Sequence, residues 1–186
     1  MVAEFGSVKE AGAWLSEQAL MKPRPDLLPL LQEALINNKI PSVVDFLEAH
    51  LSTEYINIGD YSSAEILRSA LAKRRPDDPI TLLGMAELKQ HYQGDAASAV
   101  MWAKRAVKSA DKVRRFRRHS RATLVRAAGD LGNVGLMESC LLEITNLELE
   151  PNETDVGKEK DLLYRARRAG VNKNILYIYQ IYLEQN

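Results

Sequence analysis

A single cysteine, Cys140, in 186 residues excludes an internal disulfide and suits a reducing compartment. No stretch approaches the ~18 consecutive apolar residues of a membrane span. The opening MVAEFGSVKEAGAWLSEQA has no basic start followed by an apolar run, so no secretory signal is visible. These absences give a cytoplasmic expectation and make the sequon Asn152-Glu153-Thr154 a coincidence. Sustained apolar–polar alternation is missing too, which argues against a sheet. The three histidines, His50, His91 and His119, stand too far apart for metal-ligand spacing. Cys140 lies in LMESCLLEITNL without a basic neighbour to lower its pKa, so it reads as a buried, inert thiol. GDLGNVG (129–135) follows a helical stretch and lacks the Gly-Lys-Ser/Thr of a phosphate loop, and is expected to be an inter-helix turn. Glu148, Glu150, Glu153 and Asp155 lack calcium-loop spacing and read as a solvated linker. No catalytic residue, metal ligand or cofactor is expected, and the chain does not read as an enzyme.

What is present is ordinary in amount but uneven in placement. Apolar residues make 46% and charged residues 27% of the chain, as in a globular protein. The length suffices to bury roughly 70% of the unfolded surface. Lysines plus arginines equal aspartates plus glutamates at 25 each, so composition alone points to neither nucleic acid nor membrane. Yet residues 104–126 hold Lys104, Arg105, Lys108, Lys112, Arg114, Arg115, Arg117, Arg118, Arg121 and Arg126 against Asp111 alone, a net of +9. The rest of the chain carries −9, so charge is polarised along the sequence.

Helical periodicity runs throughout. A first helix from Ser7 to about Met21 places Val8, Ala11, Trp14 and Leu15 on one side, and Lys22-Pro23-Arg24-Pro25 breaks it. Asp26 caps a second helix with Pro29 in its first turn. Pro41 opens a third, with Ser42 as its expected cap and Val43, Phe46, Leu47 and Leu51 on one face. A pattern then recurs: Gly59-Asp60-Tyr61 with Ala64 five residues after the glycine, and Gly94-Asp95-Ala96 with Ala99. A weaker copy is Gly132-Asn133-Val134 with Met137. The glycines lie 35 and then 38 residues apart, close to the period of helix-turn-helix repeats. Glycine permits positive φ in the turn, and the small residue five later allows close helix crossing.

Residues 45–78 resemble the tetratricopeptide repeat (TPR). Leu51-Ser52 followed by Tyr55 looks like the family's Leu-Gly-x-x-Tyr, and Gly59, Tyr61, Ala64 and Pro76 match its turn, packing alanine and terminal proline. Arg68 departs where a large apolar residue is usual, and Leu71 where alanine is usual. The second copy fits with Leu82, Met85 and Ala86, then Ala99, Ala103 and Ala106, but carries one extra residue before Gly94. The third keeps Leu124, Ala128, Leu141 and Ile144, with Pro151 two residues late. The resemblance implies an all-α, TPR-like αα-superhelix (a solenoid) of about five antiparallel helix pairs. The resemblance covers about 100 of the 186 residues. The flanking helices carry no motif but are compatible with it, and the expectation is one helical-repeat domain over 1–186, with a helix pair in 1–40, repeats in 42–150 and a pair in 155–186.

Two features point to partners. DKVRRFRRHSRATLVR (111–126), read as one helix, buries Val113, Phe116, Leu124, Ala127 and Leu131 and sets Arg114, Arg117, Arg118 and Arg121 on one flank, with Lys112, Arg115 and Arg126 on the other. Such a stripe is either a solvated face balanced by the acidic remainder or an anion-recognising surface, since arginine forks bind carboxylates in pairs of bonds. The resemblance implies that this helix lines the concave groove, which favours an acidic protein segment. The C-terminal helix NILYIYQIYLEQN (174–186) is apolar around nearly its whole circumference. It is either tucked into the fold or exposes Tyr177, Tyr179 and Tyr182 to a partner or a second copy. The expected function is a protein-interaction adaptor or scaffold. The alternatives are a small TPR export or assembly chaperone and, less favoured, a nucleic-acid-associated protein.

Overall fold

The computed structural model describes residues 3–21, 26–148 and 156–185, without the side chains of Met21 and residues 156–160. The break at 22–25, the sequon, Pro151 and the acidic Glu150, Glu153 and Asp155 lie outside the described residues. All regular structure among the described residues is helical. The chain divides into two compact units, 1–74 and 75–186.

The first unit contains α1 (Val8–Met21), α2 (Leu27–Asn37), α3 (Pro41–Asn57) and α4 (Tyr61–Arg74). α1, α2 and α4 each pack on α3. Ala11, Leu31, Ala34, Val43, Leu47 and Leu51 form its core. α1 begins with a reciprocal cap. Glu10 N–H donates to Ser7 Oγ at 3.3 Å, while Gly6 N–H donates to the Glu10 carboxylate at 2.9 Å. The expected Ser42 cap does not form: Pro41 is the first helical residue, Ile40 holds the cap position, and no side chain bonds there. Proline at the first position lacks the N–H that a cap would serve. Asp26 occupies the N-cap of α2 but makes no capping bond. Arg68, the departure from the repeat pattern, donates from Nε to Ser52 Oγ at 3.2 Å.

The second unit contains α5 (Pro79–Glu87), continued by a π-helical turn over Leu88–Tyr92, then α6 (Ala96–Val113), α7 (Arg117–Asp130), α8 (Val134–Thr145), α9 (Val156–Ala169) and α10 (Lys173–Gln185). α7 packs on α5, α6, α8 and α9, and α10 on α8 and α9. The repeat positions Ala86, Ala99, Ala103, Leu124, Ala128, Met137, Leu141 and Ile144 are all buried in one cluster, joined by Leu162, Ala166 and Tyr179.

One turn geometry recurs within the helix pairs. Gly59, Gly94 and Gly132 have φ of +83°, +66° and +73°, and Gly170 has +82°. The next residue's N–H reaches back to close the preceding helix: Asp60 to Tyr55 O at 2.9 Å, Asn133 to Ala128 O at 2.8 Å and Val171 to Ala166 O at 3.1 Å. The same polar residue then caps the following helix, Asp60 to Ser63 N–H at 3.0 Å, Asp95 to Ser98 N–H at 3.0 Å and Asn133 to Leu136 N–H at 3.1 Å. At Gly94 the closing bond runs from Asp95 one residue further back, to Lys89 O at 2.8 Å. The π turn absorbs the additional residue of this repeat without disturbing the turn. Gly170 marks a turn of this kind that the spacing search missed, because Ile175 stands where alanine would have signalled it.

The stretch 111–126 is not one helix. α6 ends at Val113 and α7 begins at Arg117, and Arg114 and Phe116 both take left-handed conformations, with φ of +53° and +60°. Arg115 N–H closes α6 on Ala110 O at 3.2 Å, the glycine-turn bond made without glycine. Val113, at the end of α6, and Leu131, the C-cap of α7, are exposed although expected on the buried stripe, while Leu124 and Ala127 are buried.

No helix among the described residues is long and apolar enough to cross a membrane. Ala99 is fully buried, so Ala99→Leu should overpack the cluster and cost roughly 1–3 kcal/mol in denaturant melts. Gly132→Ala, at positive φ, should cost about 1 kcal/mol, whereas Arg114→Gly should leave stability unchanged or raise it. Equal melts for both turn variants would contradict the left-handed assignment at residue 114.

Candidate functional site

Helix α7 carries cations into the interior. Arg118 and Arg121 are 3% and 7% exposed, far below ordinary arginine exposure. Arg121 is held by two carboxylates from neighbouring helices. Its Nη1 and Nη2 donate to the two oxygens of Asp111 at 2.8 and 2.9 Å, and its Nε donates to Glu143 at 2.7 Å. Burial alone would lower the Arg121 pKa, but these bonds outweigh it and raise it. The guanidinium of Arg118 lies 5.2 Å from the ring centre of Tyr182 on α10. Arg126 is half-buried near Asp161 at 3.9 Å, and burial lowers its pKa against the opposing pull of that carboxylate.

The remaining cations face outward. Lys104, Lys108 and Lys112 form a row along α6 at intervals of one helical turn, flanked by Arg105 and continued by Arg114 and Arg115 in the α6–α7 turn. All six are exposed, and Arg117 is half-buried. Arg105 lies over Trp102 at 4.4 Å and Arg115 over Phe116 at 5.3 Å, and Lys112 bonds Asp77 at 3.2 Å. Asp111, the one acidic residue of 104–126, is turned to Arg121. The basic sequence thus separates into an inward set, Arg118, Arg121 and Arg126, and an outward set, Arg114, Arg115 and the α6 row. The row was visible as an i, i+4, i+8 spacing, but the arginine-rich stretch beside it drew the site assignment away.

The first helices of the last three pairs, α5, α7 and α9, carry a chain of polar contacts. His119 lies 3.5 Å from Glu87. Gln90, in the π turn, donates to Asp130 at 2.5 Å, and Arg165 contacts Asp130 at 3.4 Å and Asp161 at 2.7 Å. A cavity of about 380 Å³ opens here between α7 and α9, with Tyr164 and Arg168 on its wall. Its charges compensate one another, which suits a latch between helices better than a site for a charged ligand.

The C-terminal helix is mostly turned inward. Tyr179 and Tyr182 are 0% and 8% exposed and stack at 5.7 Å, whereas Tyr177 is 66% exposed beside the exposed Ile178. Cys140 is buried, and burial pushes its thiol up to about 12. GDLGNVG forms the α7–α8 turn. Among the described residues no group of histidine, cysteine and carboxylate side chains could hold a metal ion.

The structure is similar to a solved Podosopora anserina protein of nearly identical TPR-like repeats, described as a kinesin light chain. The two superpose with a TM-score of 0.69 at 18% identity, over 96% of this chain and 93% of that one. No family model matches the chain, and no curated protein matches it in sequence. At that identity the likeness speaks for the fold, which is all-α and TPR-like, of the αα-solenoid class.

Two outcomes check the sorting of side chains. Arg121→Ala leaves Asp111 and Glu143 facing each other and should cost roughly 2 kcal/mol, between the ranges for exposed and buried pairs. Arg115→Ala should stay within about 0.5 kcal/mol, and thermal melts compare the two. Cys140 should resist a thiol reagent at pH 8 in the native protein and react within minutes in denaturant. Fast native labelling would contradict its burial.

Proposed function

We propose that this protein is a non-catalytic interaction scaffold that takes an acidic segment of a partner protein on the basic surface of α6 and the α6–α7 turn. The observation that carries this reading is the outward set: six exposed cations on one helix and its turn, with the charge of the local carboxylate Asp111 taken up by Arg121. Like charges in a row repel, and exposed charges within a Debye length of about 8–10 Å feel one another, so an anionic partner relieves a cost the free protein bears. The turn adds to the argument. Arg114 holds a left-handed conformation that glycine adopts more cheaply, so stability alone does not account for an arginine there. Arg118 and Arg121 support this surface from inside instead of touching the partner, and Arg126 belongs with them. Of the C-terminal tyrosines, Tyr177 is the one whose exposure suits contact with a partner or a second copy.

The test uses a decaglutamate peptide and a random-sequence DNA duplex as probes at physiological salt. The peptide should bind, and joint reversal of Lys108 and Arg115 to glutamate should weaken it about tenfold or more with melting unchanged. Duplex binding as tight as peptide binding, with a steep salt dependence, would make the surface a nucleic-acid face. Copurification with one apolar segment, insensitive to the reversal, would favour the chaperone reading.

A further inference from the structure

A second cavity, of about 450 Å³, lies in the first unit between the N-terminal segment, α1 and α2. Its walls combine Phe5, Trp14 and Leu30 with Glu4, Glu33 and Gln18, and among the described residues no lysine, arginine or histidine lines it. The Phe5 and Trp14 rings stand 5.2 Å apart and tilted by 49°, so they form a corner and not a stack. We propose that this cavity is a binding site for an alkylammonium group.

Three physical facts point that way. Aromatic faces attract cations through their ring quadrupole, best when another ring or an apolar wall displaces water. Both glutamates are exposed and are the charged side chains among the described lining residues, a charge that repels anions and draws cations in. The volume falls in the range of small-ligand cavities, and the lining is both acidic and aromatic, which a purely apolar guest would not use.

The corner is also held in place before any ligand arrives. Asn38, 7% exposed, clamps the N-terminal segment with its amide. Its Oδ1 accepts from Phe5 N–H at 2.8 Å, and its Nδ2 donates to Ala3 O at 2.8 Å and to Ala34 O at 2.6 Å. The reciprocal cap at Ser7 and Glu10 anchors the following residues to α1. A buried amide and a helix cap thus fix Phe5 against Trp14, so binding need not order the segment.

Free quaternary ammonium compounds and a lysine side chain on a partner both present this chemistry. Titration of the full chain with choline, with an N-acetyl-trimethyllysine amide and with the uncharged isostere 3,3-dimethylbutanol separates charge from shape. The two indole N–H resonances report it, with the Trp14 signal assigned by Trp14→Phe. The Trp14 signal should shift saturably with both cations and hardly with the alcohol. The tighter of the two cations names the source. Joint Glu4→Gln and Glu33→Gln replacement, at exposed positions that leave folding intact, should weaken binding about tenfold and flatten its salt dependence. Equal shifts with the alcohol, no saturable shift with either cation, or full binding by the double variant would each overturn the proposal.

Discussion

The left-handed residue that ends a helix, followed at once by a side chain that caps the next, is the constraint on which the rest of the structure depends. Glycine supplies the conformation at residues 59, 94, 132 and 170. Asp60, Asp95 and Asn133 then serve two helices each, closing one with their N–H and starting the other with their side-chain oxygen. A turn this short leaves consecutive helices no choice but to lie against one another. Ala64 and Ala99, five residues past the glycines and fully buried, are the consequence. The π turn before Gly94 shows how firmly the turn is kept: the surplus residue goes into the helix ladder, and the closing bond is still made.

Helix α7 meets a different demand. It packs on four other helices and yet carries Arg118, Ser120, Arg121 and Thr123 at buried positions. Burying charge is costly unless carboxylates accompany it, and Asp111 from α6 and Glu143 from α8 do so for Arg121. The three helices are thereby tied through one guanidinium. The same bonds commit the charge of Asp111, whose side chain stays 44% exposed, to Arg121 and not to the α6 row, which remains net positive. Internal stability and external charge are linked through Asp111.

The two proposed surfaces take opposite charges. The α6 row and its turn suit an anion, and the aromatic corner at Phe5 and Trp14, with Glu4 and Glu33, suits a cation. Each belongs to its own unit and rests on its own local structure. Loss of one by mutation leaves the other to be measured intact.

The sequence by itself determined the helix pairs, the glycine turns, the buried alanines and the extra residue before Gly94. All of these follow from contacts between residues a few positions apart, where spacing and backbone conformation are coupled. It also showed that Cys140 is buried, from the apolar helix around it. Tertiary structure alone decided the rest. The break at 114–116 was hidden because arginine and phenylalanine, not glycine, take the left-handed positions, so no residue type there signals the turn. The inward turn of Arg121 depends on Glu143, 22 residues away, and no periodicity in 111–126 encodes a partner at that distance. α10 is apolar on all sides, so its pattern could not say whether Tyr177 or Tyr179 faces the core. That choice was made by the surfaces of α8 and α9 on which it lies.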